Sequence, residues 1–182
     1  MSFMELANNR QSDRSFTKQE VSRKDLLKCL QAAQLAPSAC NSQPWKFIVI
    51  DNPELLKQAA AAVADNPANI NKFCETAPVL VAVVEEPATL MPRMKELVAN
   101  DRWSRFDLGS ATEHFCLQAA ELGLSSCIMG AFNEDKLKEL LKVPADRHIF
   151  VMLAVGYPES NTIRTKARKE LNAIHCFNQY EA

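Results

Sequence analysis

The chain predicts one domain in which a β-sheet is layered between helices, and three observations predict it. Segments with helical spacing alternate with short apolar β-type runs along 182 residues. Residues 79–84 are apolar at every position, which suits a strand covered on both faces. No strand is followed by a glycine-rich fingerprint, and the chain has only 4 glycines, so a Rossmann unit is not indicated.

Taken in order, residues 4–9 read as a short helix leading into Arg10-Gln11-Ser12-Asp13-Arg14-Ser15-Phe16. Ser22 and Asp25 have the spacing of a helix cap, and Leu26, Leu27, Leu30, Ala33, Leu35 and Ala36 keep helical periodicity until Pro37 stops it. Residues 45–50 read as a strand. Asn52-Pro53 supplies a cap and a first-turn proline for a helix over residues 54–63, and Asn66-Pro67 starts a second short helical piece toward Lys72. After the strand at 79–84, residues 90–100 are weakly helical. Residues 102–122 form the longest helix, which Gly123 ends. A short strand at 125–129, a helix from Asn133 through Leu141 and a last strand at 148–155 follow, closed by Gly156-Tyr157-Pro158. Beyond Pro158 the chain turns polar and basic. It lacks the apolar surface to pack alone, so it must dock elsewhere or move.

Composition narrows the functional classes. Hydrophobic residues make up 47%, enough for a sizeable core, and the net charge of −1 gives no field for nucleic acid or anionic membranes. Residues 1–9 lack the pattern of a signal peptide, and the apolar runs are too short to span a bilayer, so a cytoplasmic location is expected. Six cysteines are scattered without a C-x-x-C pair, which argues for free core thiols; Cys40, in a polar connector, is the exception. P-loop, H-E-x-x-H and G-x-S-x-G patterns are absent, and His114, His148 and His175 are isolated in sequence.

The most distinctive stretch is Pro37-Ser38-Ala39-Cys40-Asn41-Ser42-Gln43-Pro44-Trp45, between a helix and a strand. Its hydroxyls, amides and backbone N–H groups could hydrogen-bond a flat heterocycle; the plain alternative is a polar loop that satisfies its own backbone. Together with Arg10-x-Ser12-x-Arg14-x-Phe16, Lys166-Ala167-Arg168 and the Gly123–Phe132 segment, it resembles the FMN-dependent nitroreductase family over nearly the whole chain.

That resemblance implies an α+β fold, a three-layer α/β/α arrangement around a mixed, mainly antiparallel sheet, and an intertwined homodimer with FMN at the subunit interface. It implies an FMN-binding domain over residues 1–158 and a basic tail over 159–182 that completes the phosphate site and docks on the dimer. Arg10, Lys166 and Arg168 would grip the phosphate, with Ser12 adding a hydroxyl. Arg14 and Lys72 would lie beside the pyrimidine end of the ring, where a cation stabilises the reduced anion, and Asn69 would bond that edge. Gly130 would let the backbone approach flavin N5. Pro37, Ser38, Ala39, Asn41 and Gln43 would cover the ring from the partner subunit, and Gln11 and Met129 complete the cofactor set. Ser125 stands where the family usually has glycine, which bears on the shape of the substrate pocket. The implied activity is a ping-pong reaction: NADH or NADPH delivers hydride to the flavin, and a nitroaromatic, quinone or similar electron-poor acceptor then collects it. A flavin reductase, a specialised oxidase or dehalogenase, a non-catalytic FMN binder and a flavin-free interaction domain stay open as alternatives.

Overall fold

Four strands form one sheet in the order β1-β2-β4-β3, in a computed structural model that describes residues 1–89 and 102–180. The strands are β1 (Trp45–Ile50), β2 (Val79–Glu85), β3 (Ser125–Met129) and β4 (His148–Gly156). The described helices are α1 (Phe3–Asn9), α2 (Arg23–Gln34), α3 (Pro53–Ala64), α4 (Arg102–Glu121) and α5 (Glu134–Leu141). The helical pattern expected at 90–100 lies outside the described residues.

Every strand pair is antiparallel, with Val49 opposite Val81, Val81 opposite Leu153 and Ile128 opposite Leu153. The parallel part of the expected mixed sheet is reduced, among the described residues, to one bridge between Ser12 and Ser126. The uniformly apolar β2 is buried on both faces. Leu80, Ala82 and Val84 join Met152 against Ala59 and Val63 of α3 and Leu137 of α5. Val79, Val81 and Val83 join Leu153 and Val155 against Leu26 and Ala33 of α2 and Leu108 and Phe115 of α4. Helices therefore cover both faces, giving the three layers. Each fully buried Val or Leu contributes about 1.5–3 kcal/mol, so β2 is the energetic spine.

Local chemistry sets the element ends. Ser2 and Glu5 form a capping box on α1, Ser22 accepts the Asp25 N–H at the start of α2, and Asn52 accepts the Leu55 N–H ahead of Pro53. One expected element is corrected: residues 66–71 are not helical, and a 3₁₀ turn over Lys72–Thr76 follows instead. The Asn66 side chain bonds the carbonyls of Val63, Ala64 and Ile70, and Asn69 and Asn71 adopt left-handed backbone (φ 50 and 70). Asparagine can satisfy such a turn locally, which outcompetes a helix.

The basic tail runs back along the N-terminal segment. Thr17 N–H bonds the Tyr157 carbonyl at 2.9 Å, Glu159 N–H bonds Ser15 at 3.3 Å, and Phe16 and Pro158 form an antiparallel bridge. Further on, the Gln11 amide donates to Thr162 O at 3.0 Å and Lys166 Nζ donates to Ala7 O at 3.0 Å. From Leu171 onward the large apolar side chains Leu171, Ile174, Phe177 and Tyr180 are exposed.

Candidate functional site

Residues 10 and 166–168, far apart in sequence, meet beside α1. The half-buried Arg10 Nε lies 3.1 Å from Glu113 Oε1 of α4. Burial, and then the neighbouring charges of Arg10 and Arg168, hold the Lys166 ammonium below its ordinary value of 10.5, while Glu113 pulls it back. Lys166 also caps the last carbonyls of α1 at Ala7 and Asn8. Arg168 is exposed, its guanidinium bonded to the Ala167 carbonyl at 2.8 Å. Three cations held this close repel one another, and a polyanion would relieve that repulsion. Ser12, two positions beyond Arg10, is tied to β3 by its bridge to Ser126.

The second grouping forms where β3 ends. The exposed Arg14 guanidinium lies 5.9 Å from the centroid of the Phe73 ring, next to Lys72 at the start of its 3₁₀ turn. Asn71 ties that turn across to β3, donating to the Ala131 carbonyl at 2.8 Å. Arg14, Lys72 and Gly130 are thereby brought to one end of the sheet. Gly130 faces open space: a Cβ built there meets nothing within 4 Å. Met129 beside it is 2% exposed, its side chain locked in the core, so only its main chain is available to a ligand. Asn69 is exposed on the same loop, its N–H bonded to Asn66 O at 2.9 Å. Gln11 faces the tail, its amide bonded to Thr162 and Arg164.

The connector stands apart from both groupings. Cys40, Asn41 and Gln43 all have positive φ (54, 53 and 46), a strained run for non-glycine residues. Ser38 Oγ accepts the Gln43 N–H at 3.0 Å, and the Gln43 amide bonds Asn41. Ala39 N–H reaches Asp107 Oδ2 of α4 at 3.0 Å. Asp107 is buried, and burial raises its carboxyl above the ordinary 3.8 while the Ala39 bond opposes the rise. Pro37, Cys40, Asn41 and Gln43 remain exposed.

The sequence profile of the nitroreductase family matches residues 7–157. This chain belongs to the nitroreductase family. Among its nitroreductase-family relatives, a protein of Archaeoglobus fulgidus whose name couples NADH dehydrogenase with NAD(P)H nitroreductase is 31% identical over 160 residues, 86% of this chain and 85% of the relative. An iodotyrosine deiodinase of Thermotoga neapolitana is 24% identical over 175 residues, 85% of this chain and 88% of the relative. The solved structure of an FMN-dependent nitroreductase from Clostridium difficile superposes with a TM-score of 0.76 at 27% identity, covering 98% of this chain and 100% of that one.

The nitroreductase fold also draws in residues that sequence reasoning passed over. Glu113 and Asp107 of α4, Asn71, Asp13 and Arg164 each hold one of the three groupings in place. Asp107 carried a signal: it lies three residues after Ser104 and four before Ala111, on the stripe of α4 that is buried. The others gave none, because their partners are distant in sequence. Cys29, Cys74, Cys116 and Cys127 are buried, and burial pushes the first three thiols up to about 12, leaving them inert. Cys40 and Cys176 are exposed. His114 bonds the Ser110 carbonyl one helical turn back at 2.8 Å. Among the described residues no metal-binding cluster exists, and no helix is long and apolar enough to cross a membrane.

Proposed function

We propose that this chain is an FMN-dependent oxidoreductase that draws electrons from NADH or NADPH and passes them to a nitroaromatic, a quinone or a similar electron-poor acceptor. The observation that carries the reading is the convergence of Arg10, Lys166 and Arg168 from opposite ends of the chain. Glu113 offsets part of their mutual repulsion, and an anion with about two charges would relieve the rest. When bound, FMN supplies the hydride acceptance and delivery, so no side chain need act as acid or base.

Arg14 and Lys72 would hold positive charge beside the pyrimidine end of a bound flavin, where a cation favours the reduced ring. Gly130 leaves room for a ring edge and offers its main-chain N–H. Ser12 adds a hydroxyl to the phosphate contacts, and Asn69 and the main chain of Met129 line the same end. One open face then serves both flat substrates in turn, which explains the absence of a second nucleotide fingerprint.

The connector completes the site from a second copy. Among the described residues its side chains Ser38, Asn41 and Gln43 bond only within the connector itself, and it bears the strain expected of a ligand clamp. Phe3, Met4, Leu171, Ile174 and Phe177 are each at least 65% exposed, an apolar surface that a homodimer would cover.

The test is the absorption spectrum of the purified protein with FMN, before and after anaerobic NADH and NADPH. A flavin spectrum that bleaches and is restored by a nitroaromatic is expected. A protein that stays colourless in excess FMN ends the proposal, and one that binds FMN but bleaches with neither nucleotide is a flavin-binding protein instead. The deiodinase relative favours a second reading, reductive dehalogenation at the same site. Halide release from an iodinated phenol, exceeding the rate of nitroaromatic reduction, would select it.

A further inference from the structure

Between Pro158 and Arg168 the tail has little to hold it by packing: Ile163 is 42% exposed, and its neighbours are polar. Hydrogen bonds hold it instead: Glu159 on Ser15 at one end, Lys166 on Ala7 and Asn8 at the other, and Arg164 between them. Arg164 donates from one terminal nitrogen to the Ser12 carbonyl at 2.5 Å and to Asp13 Oδ1 at 3.2 Å, and from Nε to Gln11 Oε1 at 3.3 Å. Its backbone N–H reaches the same Gln11 oxygen at 3.1 Å, and the Gln11 amide returns a bond to Thr162. Asp13 is 14% exposed, and its second oxygen accepts the Ser125 hydroxyl at 2.5 Å, which fastens the assembly to β3. The guanidinium is thus spent on main chain and a sheltered carboxylate. That is the pattern of a clasp, unlike the neighbouring Arg168, which touches only its own segment.

We propose that Arg164 is a positioning residue: its clasp on Gln11, Ser12 and Asp13 sets the tail in register so that Lys166 and Arg168 arrive beside Arg10. This rests on the phosphate reading given above. A planar fork with donors in fixed directions does this work, whereas an ammonium could satisfy only part of it. Lys166 lies two positions and Arg168 four positions beyond Arg164, so a slip at the clasp displaces both cations.

The experiment compares FMN with riboflavin, which lacks the phosphate, in wild type, Arg164→Ala and Arg164→Lys, by flavin fluorescence titration. In Arg164→Ala the FMN dissociation constant rises about tenfold while that of riboflavin stays within twofold. Arg164→Lys, which keeps the charge, loses most of the preference too. Equal weakening of both ligands, or an unchanged preference in either variant, overturns the positioning role. Amide exchange over residues 162–168 in the FMN-free protein judges the clasp separately: acceleration of at least tenfold in Arg164→Ala is expected, and unchanged exchange refutes it. Should Arg164→Ala not fold, Asp13→Asn removes the carboxylate charge and is read the same way. A wild type that shows no preference for FMN over riboflavin defeats the phosphate reading, while the exchange result still decides the clasp.

Discussion

Two glycines at the ends of neighbouring strands have opposite surroundings. At Gly156, closing β4, a Cβ would lie 2.6 Å from Pro78 Cδ and 3.0 Å from Phe16 Cδ1, so the protein itself fills the space. At Gly130, just past β3, a Cβ would meet nothing within 4 Å, and the backbone is not in the left-handed region either. The first glycine is required by the fold, where the N-terminal segment crosses the sheet. Among the described residues nothing crowds the second, which leaves its backbone open to a ligand. The difference separates a residue that builds the scaffold from one whose backbone a ligand can approach, and the two stand at opposite ends of the β3–β4 ladder, Gly156 facing Ser125 and Gly130 following Met129.

Substitutions can break this contrast. Gly156→Ala forces Pro78 and Phe16 apart and costs about 1–3 kcal/mol in chemical denaturation, with FMN affinity following only as the fold loosens. Gly130→Ala leaves unfolding within about 0.5 kcal/mol of wild type and slows turnover roughly tenfold; a drop in stability instead would return this glycine to the scaffold. Arg168→Ala sharpens the ligand side: FMN binds about tenfold more weakly, while the FMN-free protein unfolds as wild type or later, since one repelling cation has gone. Unchanged FMN affinity would refute its phosphate role.

Two smaller effects follow from protonation. Lys166 sits below its ordinary 10.5, so its charge disappears earlier than that of a free lysine as pH rises. FMN affinity measured by titration then falls severalfold through that range, while the FMN-free fold gains stability, because the unfolded chain holds the proton longer. Asp107 shifts upward from 3.8. Wild type therefore loses a small increment of stability as pH climbs from the unfolded value through the raised folded one. Asp107→Asn, which can still accept the Ala39 N–H, flattens that slope in denaturation curves across the acid range.

Much of the fold was legible because periodicity is local. The strands at 45–50 and 125–129 matched to the residue, and the long helix ran to Glu121 as its spacing and Gly123 required. The piece after Asn66 was misread because asparagine side chains, invisible to an apolar pattern, closed the loop. Within the site, Arg10, Lys166 and Arg168 were legible by type, since a phosphate needs guanidinium and ammonium groups. Their partners were not: Glu113, Asp13 and Arg164 gain meaning only from contacts across more than a hundred residues. The connector showed its polar richness in sequence, but its three left-handed residues did not, because Cys40 and Gln43 carry no preference for that backbone.

The antiparallel run of residues 157–166 along residues 7–17 has a consequence for biosynthesis. A ribosome threading this chain out delivers Arg168 well over a hundred residues after Arg10. The sheet ends at Gly156 and can assemble on the nascent polypeptide, but the meeting of Arg10 with Lys166 and Arg168 has to wait for the strip beyond it. On the phosphate reading proposed above, FMN loading is thereby postponed until translation has passed that strip, and a product truncated before Lys166 would stay colourless.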